Sequence, residues 1–193
     1  MSDAGPLQGA RGSTEAVELS QAQQAFARRV AESKATAPHI CFEHEPSSVP
    51  SLTELVVAAA HALRALPLLN GAYRDGGLEL YSRANVAFAV EAAGTLLFPV
   101  IHDADTKDAT AVAAEIEELG AQARAGSLAA PAFAGATFTI VDMRPAERFT
   151  PVISRGQAAT LGVGSRALTL ACDNRIAQGR EGVDFHARLT GVR

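Results

Sequence analysis

The stretch Ala171-Cys172-Asp173-Asn174-Arg175-Ile176-Ala177-Gln178-Gly179 follows an apolar run, Ala167 to Leu170, that reads as a buried strand. A short helical pattern through Val183, Phe185 and Leu189 comes next. A polar cluster at a strand end, closed by a glycine and followed by a helix, is a common place for a functional site. Strand, polar turn and helix in this order point to a layered domain with both kinds of element.

The totals set the limits. The chain has 193 residues, the size of one domain with a tail, and 48% of them are hydrophobic. Aromatics make up 5% and Trp is absent, so Ala, Val, Leu and Ile must build the core. The net charge is −4 and no basic run occurs, which is not the footprint of a nucleic-acid binder. No apolar run is long enough for a membrane-spanning helix, so no membrane partner is expected. Residues 1–16 read as a disordered leader without the apolar region of a signal peptide, and residues 17–193 as the core domain. Cys41 and Cys172 are far apart, lie in apolar strand patterns, and are expected as free buried thiols in a reducing cytoplasm.

Outward from the opening stretch, local signals place most elements. Ser20 is an N-cap for a helix with Ala22, Phe26 and Val30 on its apolar stripe, and Pro38 stops it. His39 to Glu45 alternates as a strand. His39 and His44 fall on opposite faces of it, so they cannot share a metal, and no metal site is expected. Ser51 and Glu54 form a capping-box pattern for a helix with Leu55, Val56, Ala59 and Leu63 inward. Leu78 to Tyr81 reads as an edge strand. Val86 to Val90 and Leu96 to Ile101 flank a hairpin at Ala93-Gly94-Thr95. His102 and Asp103 begin a turn whose His-carboxylate pairing also suits a site. Asp108 caps a helix with Val112, Ile116, Leu119 and Ala123 inward, ended by Gly126. Thr137 to Asp142, Phe149 to Ile153 and Ala158 to Val163 are further strands. The expected architecture is an α/β (α+β) two-layer sandwich, a mixed sheet with flanking helices.

Several of these stretches, in this order, resemble the catalytic core of the dihydrolipoamide acyltransferases of 2-oxo acid dehydrogenase complexes. They include Glu32-Ser33-Lys34, Ala37-Pro38-His39, Gly135 to Thr139, Gln157-Ala158-Ala159, Gly162-Val163-Gly164 and Cys172 to Arg175 with Gly179. The resemblance implies a chloramphenicol acetyltransferase-like fold and a homotrimer or a multiple of trimers. It implies a site in a channel between subunits, entered by coenzyme A and by lipoamide. It also implies a His base in an Asp-His-Arg motif, a supporting Asp four residues later, and a Ser or Thr that stabilises the oxyanion.

This chain departs at each of those positions. Asn174 stands at the His position, Gln178 at the Asp position and Val141 at the hydroxyl position. The loop from Asp142 to Phe149 is shorter than the family's, Pro46 to Pro50 replaces a helical segment, and no lipoyl or subunit-binding domain is expected ahead of the core. An amide cannot serve as a base near neutral pH, so ordinary thiol-to-thioester transfer is not expected. Amides do keep a donor and an acceptor in place.

Three readings stay open. The first is a repurposed enzyme for a free small molecule, by another acyl transfer or a cyclisation in specialised metabolism. There Asn174, Gln178 and Asp142 carry the chemistry, and His39, Val141, His102, Asp103 and Arg175 line the substrate channel. No resident cofactor is needed, although a coenzyme A thioester fits as donor. The second is a non-catalytic trimer-forming assembly subunit. The third is an acyltransferase with its base elsewhere, such as His186, which otherwise reads as an exposed helix residue.

Overall fold

The computed structural model describes residues 12–92 and 94–191. Residues 12–20 are exposed and form no helix or strand; residues 1–11 of the expected leader and Ala93 of the expected hairpin turn lie outside the described residues. The chain order begins α1 (Gln21–Thr36), β1 (His39–His44), α2 (Leu52–Ala65). It continues β2 (Gly71–Arg74), β3 (Gly77–Leu80), β4 (Val86–Phe88), β5 (Val90–Ala92), β6 (Thr95–Leu97), β7 (Val100–Ile101). Then come α3 (Ala109–Ala125), β8 (Phe138–Asp142), β9 (Ala159–Val163), β10 (Leu168–Asp173) and α4 (Arg180–Thr190).

Local chemistry starts the helices. Ser20 Oγ accepts from the Gln23 amide while Gln23 Oε1 accepts from the Ser20 amide, a closed capping box. Ser51 and Glu54 make the same exchange at α2. Asp108 Oδ1 accepts from the Ala111 amide at the start of α3. The interiors of α2 and α3 then follow their apolar stripes, whereas in α1 Ala22 is exposed, Phe26 and Val30 are half-buried and Ser33 is the buried residue.

A six-stranded sheet runs in the order β1-β10-β9-β8-β4-β7. The pairs β4/β8 and β8/β9 are parallel and the other three are antiparallel, so the sheet is mixed. Alternation sends Leu168, Leu170, Cys172, Leu161, Phe138 and Ile140 into one core with Leu55, Val56, Ala59, Leu63 and Phe185. Each large apolar side chain buried there contributes about 1.5–3 kcal/mol. The helices α2, α3 and α4 lie on that face. Thr139, Val141, Thr160 and Gly162 point to the other face, over which α1 is tied by Ser33 Oγ donating to the Ile153 carbonyl (2.6 Å).

The structure corrects several expectations. Phe149 to Ile153 is not a strand: it is extended chain laid across the face of β9. Gly162 makes room for it, since a Cβ there would sit 2.9 Å from Pro151 Cδ and 3.1 Å from Phe149 Cζ. The segment's polar atoms go to side chains instead of a ladder, the Ile153 amide donating to His39 Nε2 (3.0 Å) and the Ser154 amide to Thr160 Oγ1 (3.1 Å). Leu78 to Tyr81 falls in an edge strand as expected, but of a separate two-stranded sheet: β3 pairs with β2 through a two-residue turn with φ of 44° at Asp75 and 88° at Gly76. Cys41 is exposed because it faces away from the core on β1, whereas Cys172 is buried. Val183 is 62% exposed, on the outer side of α4. His186 is not an exposed helix residue: it is 5% exposed and its Nε2 bonds the Phe42 carbonyl (3.0 Å).

Candidate functional site

Asp173 ends β10 as a buried carboxylate. Its Oδ1 accepts from the Arg175 amide (3.0 Å) and Nε (2.9 Å), and its Oδ2 from Arg175 Nη2 (2.6 Å). These bonds raise the Arg175 pKa further, so the guanidinium stays charged. The Arg175 guanidinium also lies 4.0 Å from the centroid of the Tyr73 ring. The Ile176 and Ala177 amides both donate to the Asp173 carbonyl, which winds the turn back toward the core. Asn174 is pinned by its backbone amide, which donates to the Pro38 carbonyl (2.8 Å), and its side chain is exposed. Gln178 is exposed as well, its amide donating to Glu181 Oε2 (3.2 Å) ahead of α4. Two amide side chains therefore stand out from a rigid turn.

Val141 belongs to a different place. It lines a cavity of about 730 Å³ on the α1 face of the sheet. Phe26, Phe98 and Phe149 supply its apolar walls, with Phe26 and Phe98 stacked at 6.3 Å between centroids. Thr139 and Gln157 are its buried polar pair, Thr139 Oγ1 donating to Gln157 Oε1 (2.8 Å). The charged residues lining it, among the described residues, are Arg29 and Arg155. Sequence reasoning missed Phe26, Arg29, Phe98, Thr139 and Gln157 as site residues. Thr139 carried one usable signal, its place two residues before Val141 on the same strand face.

The register separates the two groups. Val141 pairs with Gly162 on β9, and Gly162 pairs with Thr169 on β10. Asn174 lies beyond the opposite end of β10, roughly 16 Å further along at ~3.3 Å per residue, and two strands across at ~4.8 Å each. One copy of the chain does not bring Asn174 and Gln178 against Val141.

The remaining expected site residues are engaged elsewhere. Asp142 is ion-paired with Arg144 through both oxygens, and this bonding raises the Arg144 pKa. His39 spends both ring nitrogens on backbone, Nδ1 on the Ala37 carbonyl (2.7 Å) and Nε2 on the Ile153 amide (3.0 Å). His102 Nε2 bonds the Ala134 carbonyl (3.0 Å). Asp103 pairs with Arg83 (2.9 Å) and its amide donates to Asn85 Oδ1. None of these four side chains lines the cavity. Among the described residues, no three His, Cys, Asp or Glu side chains converge as a metal site would need.

Residues 43–168, more than half of the chain, match the family model of the 2-oxoacid dehydrogenases acyltransferase catalytic domain. The chain belongs to this family. The acyltransferase-domain match stops just short of the Asp173 turn. The acetyltransferase component of the pyruvate dehydrogenase complex of Zymomonas mobilis is 32% identical over 171 residues, covering 77% of this chain and 39% of that protein. The chain thus spans about two-fifths of that relative's length. The dihydrolipoamide acetyltransferase of Azotobacter vinelandii superposes with a TM-score of 0.88 at 26% identity, over 95% of this chain and 93% of that one. That structure was studied for the role of a serine, a histidine and an asparagine in its catalytic mechanism. The cubic core of a pyruvate dehydrogenase multienzyme complex matches equally, with a TM-score of 0.88, 26% identity and coverage of 95% and 93%. Chloramphenicol acetyltransferase shares the fold at a TM-score of 0.55 and 11% identity, over 85% of this chain and 92% of that one.

Proposed function

We propose that this acyltransferase-family domain is a repurposed enzyme acting on a free small molecule, by acyl transfer of another kind or by cyclisation in specialised metabolism. One observation carries the reading. In the turn after β10 Asp173 is locked to Arg175, yet the turn presents the amides of Asn174 and Gln178. Neither binds a proton near neutral pH. The Azotobacter enzyme's serine, histidine and asparagine have Val141, Asn174 and Gln178 as their counterparts in this reading, so the third position keeps an amide and the loss lies at the first two. Losing a general base removes roughly 10²–10⁴-fold and an oxyanion donor roughly 10²–10³-fold. What remains is a shaped cavity with hydrogen-bonding groups, suited to orienting a carbonyl.

The working site lies between copies. Asn174 and Gln178 of one copy meet the Val141 cavity of the next, because the register keeps them apart within one chain. A trimer, or a multiple of trimers, follows, and the likeness to a cubic core supports it. An acyl group would arrive as a coenzyme A thioester, with no resident cofactor.

The test is restoration. The triple variant Asn174→His, Gln178→Asp, Val141→Ser is assayed with acetyl-coenzyme A and dihydrolipoamide. A gain over the parent of at least roughly 10²-fold supports the reading. No gain in a variant of unchanged mass and fold overturns it.

A further inference from the structure

We infer that the Val141 cavity takes an amphipathic anion: an apolar body much larger than an acetyl group, carrying a carboxylate that Arg29 binds. This rests on the proposed small-molecule reading and gives its substrate class.

Size is the first argument. The cavity holds about 730 Å³ in one copy of the chain, before Asn174 and Gln178 of the next copy close its mouth in the proposed assembly. That volume suits a drug-sized ligand, since such pockets span roughly 300–1,000 Å³. An acetyl group would leave most of it empty.

Lining is the second. Phe26, Phe98, Phe149, Val141 and Met143 give it apolar walls. Val141 and Met143 share a face of the chain at the end of β8, so this edge of the cavity is apolar where a hydroxyl would be polar. Apolar surface of this extent is stabilised by covering it with an apolar ligand.

Charge is the third. Both charged lining residues are arginines, and no carboxylate lines the cavity among the described residues. Arg155 is already paired with Glu32 (3.3 Å). Arg29 uses Nε on the Ala25 carbonyl (3.3 Å) and has no carboxylate partner among the described residues. Its terminal nitrogens form the fork that matches a carboxylate in two places.

Gln157 adds a polar hook. Its amide nitrogen donates to the Ala136 carbonyl (3.3 Å), which uses one of two hydrogens. The second is left for a ligand carbonyl. Thr139 cannot donate there, because its hydroxyl hydrogen goes to Gln157 Oε1.

The test is calorimetric titration of the 193-residue chain with octanoate, octan-1-ol and acetate. Octanoate binds a few-fold tighter than octan-1-ol, as an ion pair to the exposed Arg29 allows, and acetate gives no binding. Arg29→Gln brings octanoate down to the octan-1-ol level and leaves octan-1-ol unchanged. Val141→Trp, which narrows the cavity beside Gln157, weakens both. Equal binding of octanoate and octan-1-ol to the parent, no octanoate binding, or octanoate binding unmoved by either substitution overturns the inference. Solution mass and circular dichroism of each variant show that its fold is kept. The outcome is separable from the acyl-transfer assay. Transfer by the parent removes the repurposing and leaves the ligand preference standing, whereas loss of octanoate selectivity removes only the ligand class.

Discussion

Arg175 closes a bidentate pair on Asp173 at the end of β10, with Nη2 to Oδ2 at 2.6 Å and Nε to Oδ1 at 2.9 Å. The Asp173 side chain is 4% exposed and that of Arg175 is 33% exposed. Removing the cation therefore strands a buried carboxylate, which costs more than the pair itself is worth. Arg175→Met should lower unfolding free energy by about 2–3 kcal/mol, discounted for the exposed guanidinium. Urea denaturation of parent and variant measures it. A change below about 0.5 kcal/mol, the size of an ordinary surface substitution, contradicts the role given to the pair.

Gly182 is where α4 meets β1. A Cβ at that position would lie 2.2 Å from Phe42 Cδ2, with the rest of the ring close behind. Overpacking at a closed contact costs about 1–3 kcal/mol. Contact this close takes the upper part of that range, so Gly182→Ala should destabilise by about 1–2 kcal/mol net, after the roughly 1 kcal/mol by which alanine favours a helix over glycine. An unchanged or raised denaturation midpoint would show that α4 does not pack there.

His186 predicts a pH dependence. Burial lowers its pKa from the ordinary 6.5, and the neighbouring His44 lowers it too, against the opposing bond to the Phe42 carbonyl. The unfolded chain then binds the proton more readily than the fold does. The stability contributed by neutral His186 is complete above 6.5 and is lost as pH falls from there through the folded value. His186→Gln should flatten this part of the stability-pH curve. A parent that gains stability on acidification through this range contradicts the sign.

The two cysteines should separate by reactivity. Cys172 is buried and its pKa is pushed up to about 12, so it carries almost no thiolate. Cys41 is exposed, with a pKa raised by partial burial against the lowering effect of Lys34. A thiol reagent at pH 8 should label Cys41 slowly and Cys172 only after denaturation. Mass spectrometry of peptides reads this, and native labelling of Cys172 would refute its placement.

Some features were legible in the sequence because they are local. Ser20, Ser51 and Asp108 sit next to the amides they cap, and the structure shows each bond. The alternation of β1 and the continuous apolar run of β10 marked both as strands. Phe149 to Ile153 misled because an extended segment crossing a sheet alternates as a strand does, and only Gly162, distant in sequence, shows the crossing. His186 gives no local sign of burial; its partner, Phe42, lies on another element. The cavity draws on α1, the β5–β6 hairpin, β8 and the loop before β9, so no single stretch displays it. The polar turn at Asp173 was visible, but its separation from Val141 needed the strand register.

The most direct test is transfer by the unmodified protein. Acetyl-coenzyme A and dihydrolipoamide are incubated with it, and S-acetyldihydrolipoamide, formed as free coenzyme A is released, is followed against a no-protein control. With amides at Asn174 and Gln178 and no hydroxyl at Val141, the predicted rate is indistinguishable from the control. Sustained turnover that is lost on Asn174→Ala would contradict the account, because it would show a working acyltransferase centre where proton chemistry should be missing.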